Sequence, residues 1–139
     1  MSLLAAMTLL AAPPSTAGAN PMVKKINDFR RAHGVPPLRS SPRLSRASKG
    51  FARRLMRTNR LGHASSVQGD RRYSSTGEIL ALQGGWRVRR AAAMRSWRRS
   101  PGHRSILLSR RFRRAGAGLS RGHFGGRPSS IWVVRFGRR

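Results

Sequence analysis

The chain has no cysteine and almost no acidic side chains. Its 139 residues contain three Asp and Glu residues against 30 Lys and Arg, so the formal net charge at pH 7 is +27. Without cysteine, the chain has no disulfide bonds, no thiolate metal ligands and no thiol nucleophile. It also lacks an apolar run long enough to cross a bilayer, because the apolar stretch over residues 3–12 is only half the length that a spanning helix needs. We therefore expect no transmembrane span.

The N-terminal apolar stretch is typical of a targeting segment. Residues 3–12 are followed by Ala17-Gly18-Ala19, which fits the small-residue pattern of a signal-peptide cleavage site. No Lys or Arg precedes Lys24, so the usual positive flank is missing. The pattern predicts a signal peptide over residues 1–19 and a single domain over residues 20–139, secreted or associated with the cell envelope.

The positive charge has two interpretations. Three of the basic residues are lysines and the other 27 are arginines, spread over almost every segment. A coding bias towards arginine explains such a composition, and so does selection for binding to nucleic acid, acidic polysaccharide or anionic membrane. No known nucleic-acid-binding motif is present. We expect salt-sensitive, non-specific binding to polyanions in either case.

The apolar spacing predicts helices first and strands last. Asn or Ser followed by proline marks three of the helix starts, and small or β-branched runs near the end predict a hairpin. This order favours an α+β domain with Trp97 and the strand over 131–136 buried in its core. The glycines of the strand over 115–120 mark positions where another backbone comes close. The predicted elements are helices starting at Asn20-Pro21 and Ser41-Pro42, a helix over 87–99, a short helix from Pro101, an extended segment over 35–38, a loop over 65–77, an apolar segment over 79–82, and strands over 115–120 and 131–136 joined by a turn over 122–130.

Three polar residues are candidates for a functional site. His63, Glu78 and His103 each lie beside a glycine at the boundary of a predicted element. Two histidines and one glutamate are the ligand set of a zinc site with an open position, and the same residues also serve as acid and base around a bound molecule. A polar cluster that only holds loops together has the same composition. The spacing leaves these three interpretations open.

Several short motifs occur in a fixed order over residues 23–137. The most specific one joins a tryptophan to a Ser-Pro-Gly-His-Arg block, and the others are weaker. The motifs are Asn27, Arg30, Gly34 and Leu38; Leu61-Gly62-His63; Gly77-Glu78-Ile79-Leu80; Trp97 with Ser100-Pro101-Gly102-His103-Arg104 and Ile106-Leu107; Phe112 with Gly116-Ala117-Gly118; and Phe136-Gly137.

In this order the motifs resemble the bacterial branch of the CAP superfamily. This is the SCP-like extracellular domain of cysteine-rich secretory proteins, antigen-five allergens and plant pathogenesis-related proteins. The resemblance implies an α-β-α sandwich in which His63, Glu78 and His103 line a central cavity. Two positions depart from the pattern, because Ile79 replaces an asparagine and Ser100 replaces the second cavity glutamate of eukaryotic members. The full site of two histidines and two glutamates is therefore not expected.

The fold alone does not fix the activity, since this resemblance covers proteins of several functions. We expect an exported, monomeric, non-enzymatic binding module whose His/Glu cavity holds a divalent metal such as Zn²⁺, or a small molecule or lipid. In this interpretation His63 and His103 are the metal ligands, together with Glu78. One alternative is a protease-like hydrolase that uses His63, Glu78 and His103 as catalytic residues. The other is a basic protein that binds polyanions or nucleic acid.

Overall fold

The computed structural model describes residues 20–64 and 72–139. The predicted signal peptide over residues 1–19 and Asp70 lie outside the described residues. Within the described part the chain alternates helices and short strands before a long closing hairpin. The elements are α1 (Pro21–Ala32), β1 (Arg39–Ser40), α2 (Pro42–Thr58), β2 (Ser75–Gly84), α3 (Arg90–Arg99), α4 (Pro101–Leu107), β3 (Arg114–Phe124) and β4 (Arg127–Arg138).

The first two helices start where their capping residues predict. The side chain of Asn20 accepts hydrogen bonds from the backbone N–H groups of Met22 and Val23, at 3.0 and 3.4 Å. The Ser41 hydroxyl accepts from the N–H of Leu44 at 3.2 Å. Each cap is followed by a proline in the first turn, where its missing N–H costs nothing. Helix α2 then ends at Asn59, in the left-handed conformation with φ of 55°.

The strands form one mixed sheet in the order β1-β3-β4-β2. Only the β1–β3 pair is parallel, and the other two pairs are antiparallel. Side chains of β4 alternate between the faces of this sheet: Trp132 and Val134 pack with α1, α3 and α4, whereas Ile131 and Val133 pack with α2. The sheet is thus covered by helices on both sides, and the implied α-β-α sandwich is confirmed. Trp97 and the last strand are buried as expected.

Two glycines of β3 explain how closely α2 approaches the sheet. A Cβ atom at Gly116 would overlap with the backbone of Leu44 and Ser45, and one at Gly118 would overlap with the backbone of Lys49. Neither position has room for a side chain. The sequence expectation that these glycines mark a close backbone approach is confirmed.

The Asn-x-x-Arg motif of α1 fastens the loop that follows it. Asn27 donates to the Leu38 carbonyl and accepts from the Leu38 N–H, at 2.9 and 2.7 Å. The guanidinium of Arg30 is buried and donates to three carbonyl oxygens, two of them at the end of α4. Burial, reinforced by the charges of Arg110 and Arg113, lowers the pKa of Arg30 to about 10. Arg30 remains charged, and its hydrogen bonds join α1 to the following loop and to the end of α4.

Three predicted boundaries are wrong. Strand β2 begins at Ser75, inside the predicted loop over 65–77, because pairing with β4 orders these polar residues. The hairpin turn is confined to Gly125 and Gly126. Both have the positive φ that a tight hairpin turn requires. The strands therefore fill most of the predicted turn over 122–130. Helix α3 starts at Arg90 instead of residue 87, because Trp86 is bonded to β3. No helix among the described residues is long and apolar enough to cross a membrane.

Candidate functional site

The site is built around a buried carboxylate in the edge strand β2. Glu78 lies directly opposite Arg135 of β4, and its side chain is only 2% exposed. The Nε–H of Arg135 donates to Oε2 of Glu78 at 3.0 Å. The Arg135 guanidinium also lies 4.9 Å from the ring centre of Phe51 on α2. This ion pair therefore lies on the face of the sheet that α2 covers, and the aromatic ring fixes its cation.

The other carboxylate oxygen holds the loop that follows α2. Oε1 of Glu78 is 3.2 Å from Nδ1 of His63 and accepts from the backbone N–H of Ala64 at 3.1 Å. The His63 side chain itself is 62% exposed. An ionised carboxylate only accepts hydrogen bonds, so Nδ1 of His63 donates its N–H to Glu78, and in the neutral ring Nε2 carries the lone pair that can bind a ligand. Both oxygens of Glu78 are thus occupied by protein donors.

His103 reaches the same region from the first turn of α4. It is partly buried, and its Nδ1 atom has no hydrogen-bond partner among the described residues. Burial, with a smaller contribution from the charge of His63, lowers the pKa of His103 below its usual value. His103 is therefore a neutral imidazole at neutral pH. The structure brings Glu78 into contact with His63, and the charge of His63 contributes to the lowered pKa of His103.

Ser100 occupies the position before α4 where the resemblance places a second glutamate in eukaryotic members. Its side chain makes no capping hydrogen bond, although a cap was predicted there. Only the Ser100 carbonyl takes part in the helix start, by accepting from the N–H of Arg104 at 2.8 Å. The α4 start is therefore set by Pro101 and by packing, and it brings no second carboxylate to the site.

A groove between α2 and the loop that follows it includes His63 in its lining. Its volume is about 710 Å³, within the usual range for small-molecule sites. The wall combines an apolar stripe with two arginines. The lining residues are Phe51, Arg54, Leu55, Thr58, Arg60, Leu61, Gly62, His63 and Ala64.

The candidate residues do not form a three-ligand metal cage. Among residues 20–64 and 72–139, no group of three or more His, Cys, Asp or Glu side chains is arranged to hold a metal ion. Glu78 belongs to the network with Arg135, so it does not face an open position as a free ligand. The donors that remain are the imidazole nitrogens of His63 and His103.

Arg135 is the site residue that the sequence analysis missed. The chain has 27 arginines, and composition does not show which one faces the buried carboxylate. The usable signal was the charge of Glu78 beside the apolar segment over 79–82, since a carboxylate buried in a strand requires a partner. The partner's identity depends on the register of β2 and β4, which only the structure gives.

Comparison with known proteins identifies the fold and the family. The model of the cysteine-rich secretory protein family (CAP) matches residues 23–136. No curated protein matches the chain. An outer surface protein of Borrelia burgdorferi superposes with a TM-score of 0.70 at 21% identity, over 85% of this chain and 90% of that one.

Two further solved structures are longer than this chain. An extracellular protein of Bacillus anthracis that contains an SCP domain gives a TM-score of 0.69 at 20% identity, over 93% of this chain and 45% of that one. A cysteine-rich secretory protein of Staphylococcus aureus gives 0.66 at 18% identity, over 85% of this chain and 37% of that one. At these identities the likeness establishes the fold.

Proposed function

The chain belongs to the cysteine-rich secretory protein (CAP) family, and we propose that it works outside the cytoplasm as a non-enzymatic binding module. The predicted signal peptide supports the location. So do the names of its structural relatives, which describe an outer surface protein and an extracellular protein. The ligand-binding groups are the imidazoles of His63 and His103, next to the groove along α2.

The proposal rests on the hydrogen bonds and the ion pair of Glu78. Both of its oxygens accept hydrogen bonds from protein donors, and its charge is balanced by Arg135. A carboxylate held in this way does not take a proton from a substrate, because protonation would break the ion pair. Glu78 therefore acts as a positioning residue that orients His63, and the two imidazoles contact the ligand.

The donor set fits a divalent metal with weak affinity. A histidine whose Nδ1 is bonded to a carboxylate is the usual arrangement behind a zinc-binding imidazole, and His63 has this arrangement. His103 is a second neutral nitrogen donor. Zn²⁺ normally takes at least three protein ligands, so two imidazoles predict low affinity. A bound ion would supply a positive centre that anchors an anionic group of a small molecule.

Calorimetric titration with Zn²⁺ tests the metal part of the proposal. We expect binding heat from the native protein that is lost in His63→Ala and in His103→Ala. His123→Ala is the matched control, since it removes an exposed histidine of β3 that lies outside the site. Equal heats for all four proteins would remove the metal site from the proposal.

The geometry also supports a hydrolase as a second candidate. A histidine bonded to a carboxylate through Nδ1 is the arrangement of an oriented general base, and His63 and Glu78 have it. Hydrolysis of a protein or ester substrate that disappears in His63→Ala, while His123→Ala retains it, would replace the binding proposal. Absence of turnover, together with ligand binding that requires His63, would support the binding module.

Two arginine clefts favour polyanion binding as a further property of the surface. Each has a volume of about 400 Å³ and is lined by four arginines, without an acidic side chain. Affinity for heparin or DNA should therefore fall steeply with salt, because counterions are released on binding. Sequence-specific DNA binding that survives high salt would instead indicate a nucleic-acid-binding protein. The arginines that line the two clefts are Arg39, Arg113, Arg114 and Arg139 in one, and Arg95, Arg98, Arg99 and Arg104 in the other.

A further inference from the structure

The segment between β2 and α3 presents large apolar side chains to solvent. Trp86 is 49% exposed and Val88 is 40% exposed. Together they are two of the four large hydrophobic residues that are exposed among the described residues. An exposed apolar pair in a single short segment indicates an interaction surface more strongly than scattered single residues do.

Trp86 is held in this exposed position by its neighbours on β3. Its indole Nε1–H donates to the carbonyl of Gly122 at 2.8 Å, and its own carbonyl accepts from Arg121 at 3.4 Å. The edge of its ring meets the His123 ring at a centroid distance of 5.4 Å. The indole is therefore ordered before any partner arrives, which lowers the entropy cost of binding.

In the described part of the chain, the charges around this segment are positive. Exposed arginines flank Trp86 in the chain and on the neighbouring hairpin. The described carboxylate side chains are Asp28 and Glu78, and each is paired with basic groups elsewhere. A partner must therefore combine an apolar layer with negative charge. The arginines are Arg87, Arg89, Arg121 and Arg127.

A small cavity beside Val88 is lined by basic side chains. It has a volume of about 280 Å³, and its lining includes Val88, Arg90, Arg121 and Trp132. The positive charge of the segment therefore continues into this cavity.

We propose that this tryptophan surface, formed by Trp86, Arg87, Val88, Arg89 and Arg121, docks on an anionic phospholipid bilayer. Tryptophan is favoured at the level of the lipid headgroups, and arginines are attracted to anionic lipids. The surface lies beyond the Gly84 end of β2, about 20 Å along the strand from Glu78. Docking would therefore leave the His63 site accessible from the aqueous side, and it does not depend on the ligand of that site.

Intrinsic fluorescence tests the proposal with little background. Trp97 and Trp132 are buried, so a change on docking reports Trp86. The probe is a vesicle of equimolar phosphatidylcholine and phosphatidylglycerol. We expect a blue shift of the emission and quenching by brominated acyl chains, neither of which occurs with pure phosphatidylcholine. Trp86→Ala should lower vesicle partitioning by about tenfold, although it leaves the net charge unchanged.

Matched variants separate this surface from the general positive charge. Arg87→Gln/Arg89→Gln should weaken partitioning more than Arg53→Gln/Arg57→Gln, which makes the same charge change on α2. Equal partitioning of native protein and Trp86→Ala, or native emission that does not shift on vesicles, would overturn the proposal. The same blue shift with heparin or inorganic phosphate would also overturn it, because the surface would then bind anions without a bilayer.

Discussion

Replacing Glu78 by glutamine should destabilise the protein far more than removing any exposed carboxylate. The substitution keeps the shape of the side chain and one acceptor oxygen, but it removes the negative charge that balances Arg135. The new amide NH₂ group also faces the Nε–H of Arg135, so that two donors oppose each other across the 3.0 Å contact. In the native protein Oε1 of Glu78 accepts from both Ala64 and His63, and the single amide oxygen of glutamine would take over that role.

The structure sets the size of this loss. Breaking a fully buried ion pair costs about 3–5 kcal/mol, and a single hydrogen bond to a charged group contributes about 1.5–3 kcal/mol. The Glu78 side chain is 2% exposed and that of Arg135 is 18% exposed, so Arg135 recovers some hydration after the change. Because the pair is less buried than a fully enclosed one, we expect Glu78→Gln to lower the free energy of unfolding by about 2–3 kcal/mol.

Equilibrium urea denaturation followed by circular dichroism measures this change. Asp28→Asn is the matched control, because it makes the same charge change in a side chain that is 57% exposed, with ion-pair distances of 3.6 Å. It should cost less than about 1 kcal/mol. Adding Arg135→Met to Glu78→Gln should restore part of the stability, since the unpaired cation is then gone. Equal losses for Glu78→Gln and Asp28→Asn would refute the buried network.

Three further predictions concern stability. Arg30→Met should cost about 3 kcal/mol in urea denaturation, because it leaves buried carbonyls without donors; a loss below about 1 kcal/mol would show that water replaces the guanidinium. Gly118→Ala should destabilise the protein by about 1–3 kcal/mol or more, because the new methyl group overlaps with α2. Gly50→Ala meets open space within α2 and should stabilise it by about 0.8–1 kcal/mol. Changes of the same sign would contradict the packing. Because burial lowers the pKa of His103 in the folded protein, the unfolded chain binds more protons just below pH 6.5, and the free energy of unfolding should fall there as the pH drops. His103→Gln should flatten that part of the curve of stability against pH. An unchanged curve would show that another group titrates.

Local signals were sufficient for much of the fold. The caps at Asn20 and Ser41 placed two helix starts correctly because capping depends on neighbouring residues. The glycines of β3 indicated a close approach, and α2 provides it. The start of β2 was missed because the polar residues from Ser75 to Gly77 become a strand only through pairing with β4. Tertiary contacts decided the conformation of that segment.

The sequence proposed candidate residues but not the contacts between them. The order of the motifs pointed to His63, Glu78 and His103 as candidates, and the structure places His63 and Glu78 in contact. The sequence left Glu78 open as a metal ligand or as a base. Its partner, Arg135, is 57 residues away and is defined by the strand register. A carboxylate changes its chemistry when a guanidinium neutralises it, so the role of Glu78 could not be inferred before its partner was known.

The net charge bears on which ligand the imidazole pair can hold. A chain with a net charge of +27 attracts anions and repels cations at every approach to the site. Among the described residues, the one carboxylate at the site is already neutralised by Arg135 and does not offset that field locally. Salt screens such a field, with a Debye length of about 8 Å at physiological ionic strength. Added salt should therefore strengthen the binding of a divalent cation to His63 and His103 and weaken the binding of an anionic ligand at the same place. The sign of the salt dependence thus distinguishes a site that holds a metal from one that holds an anion directly, whatever the natural ligand is.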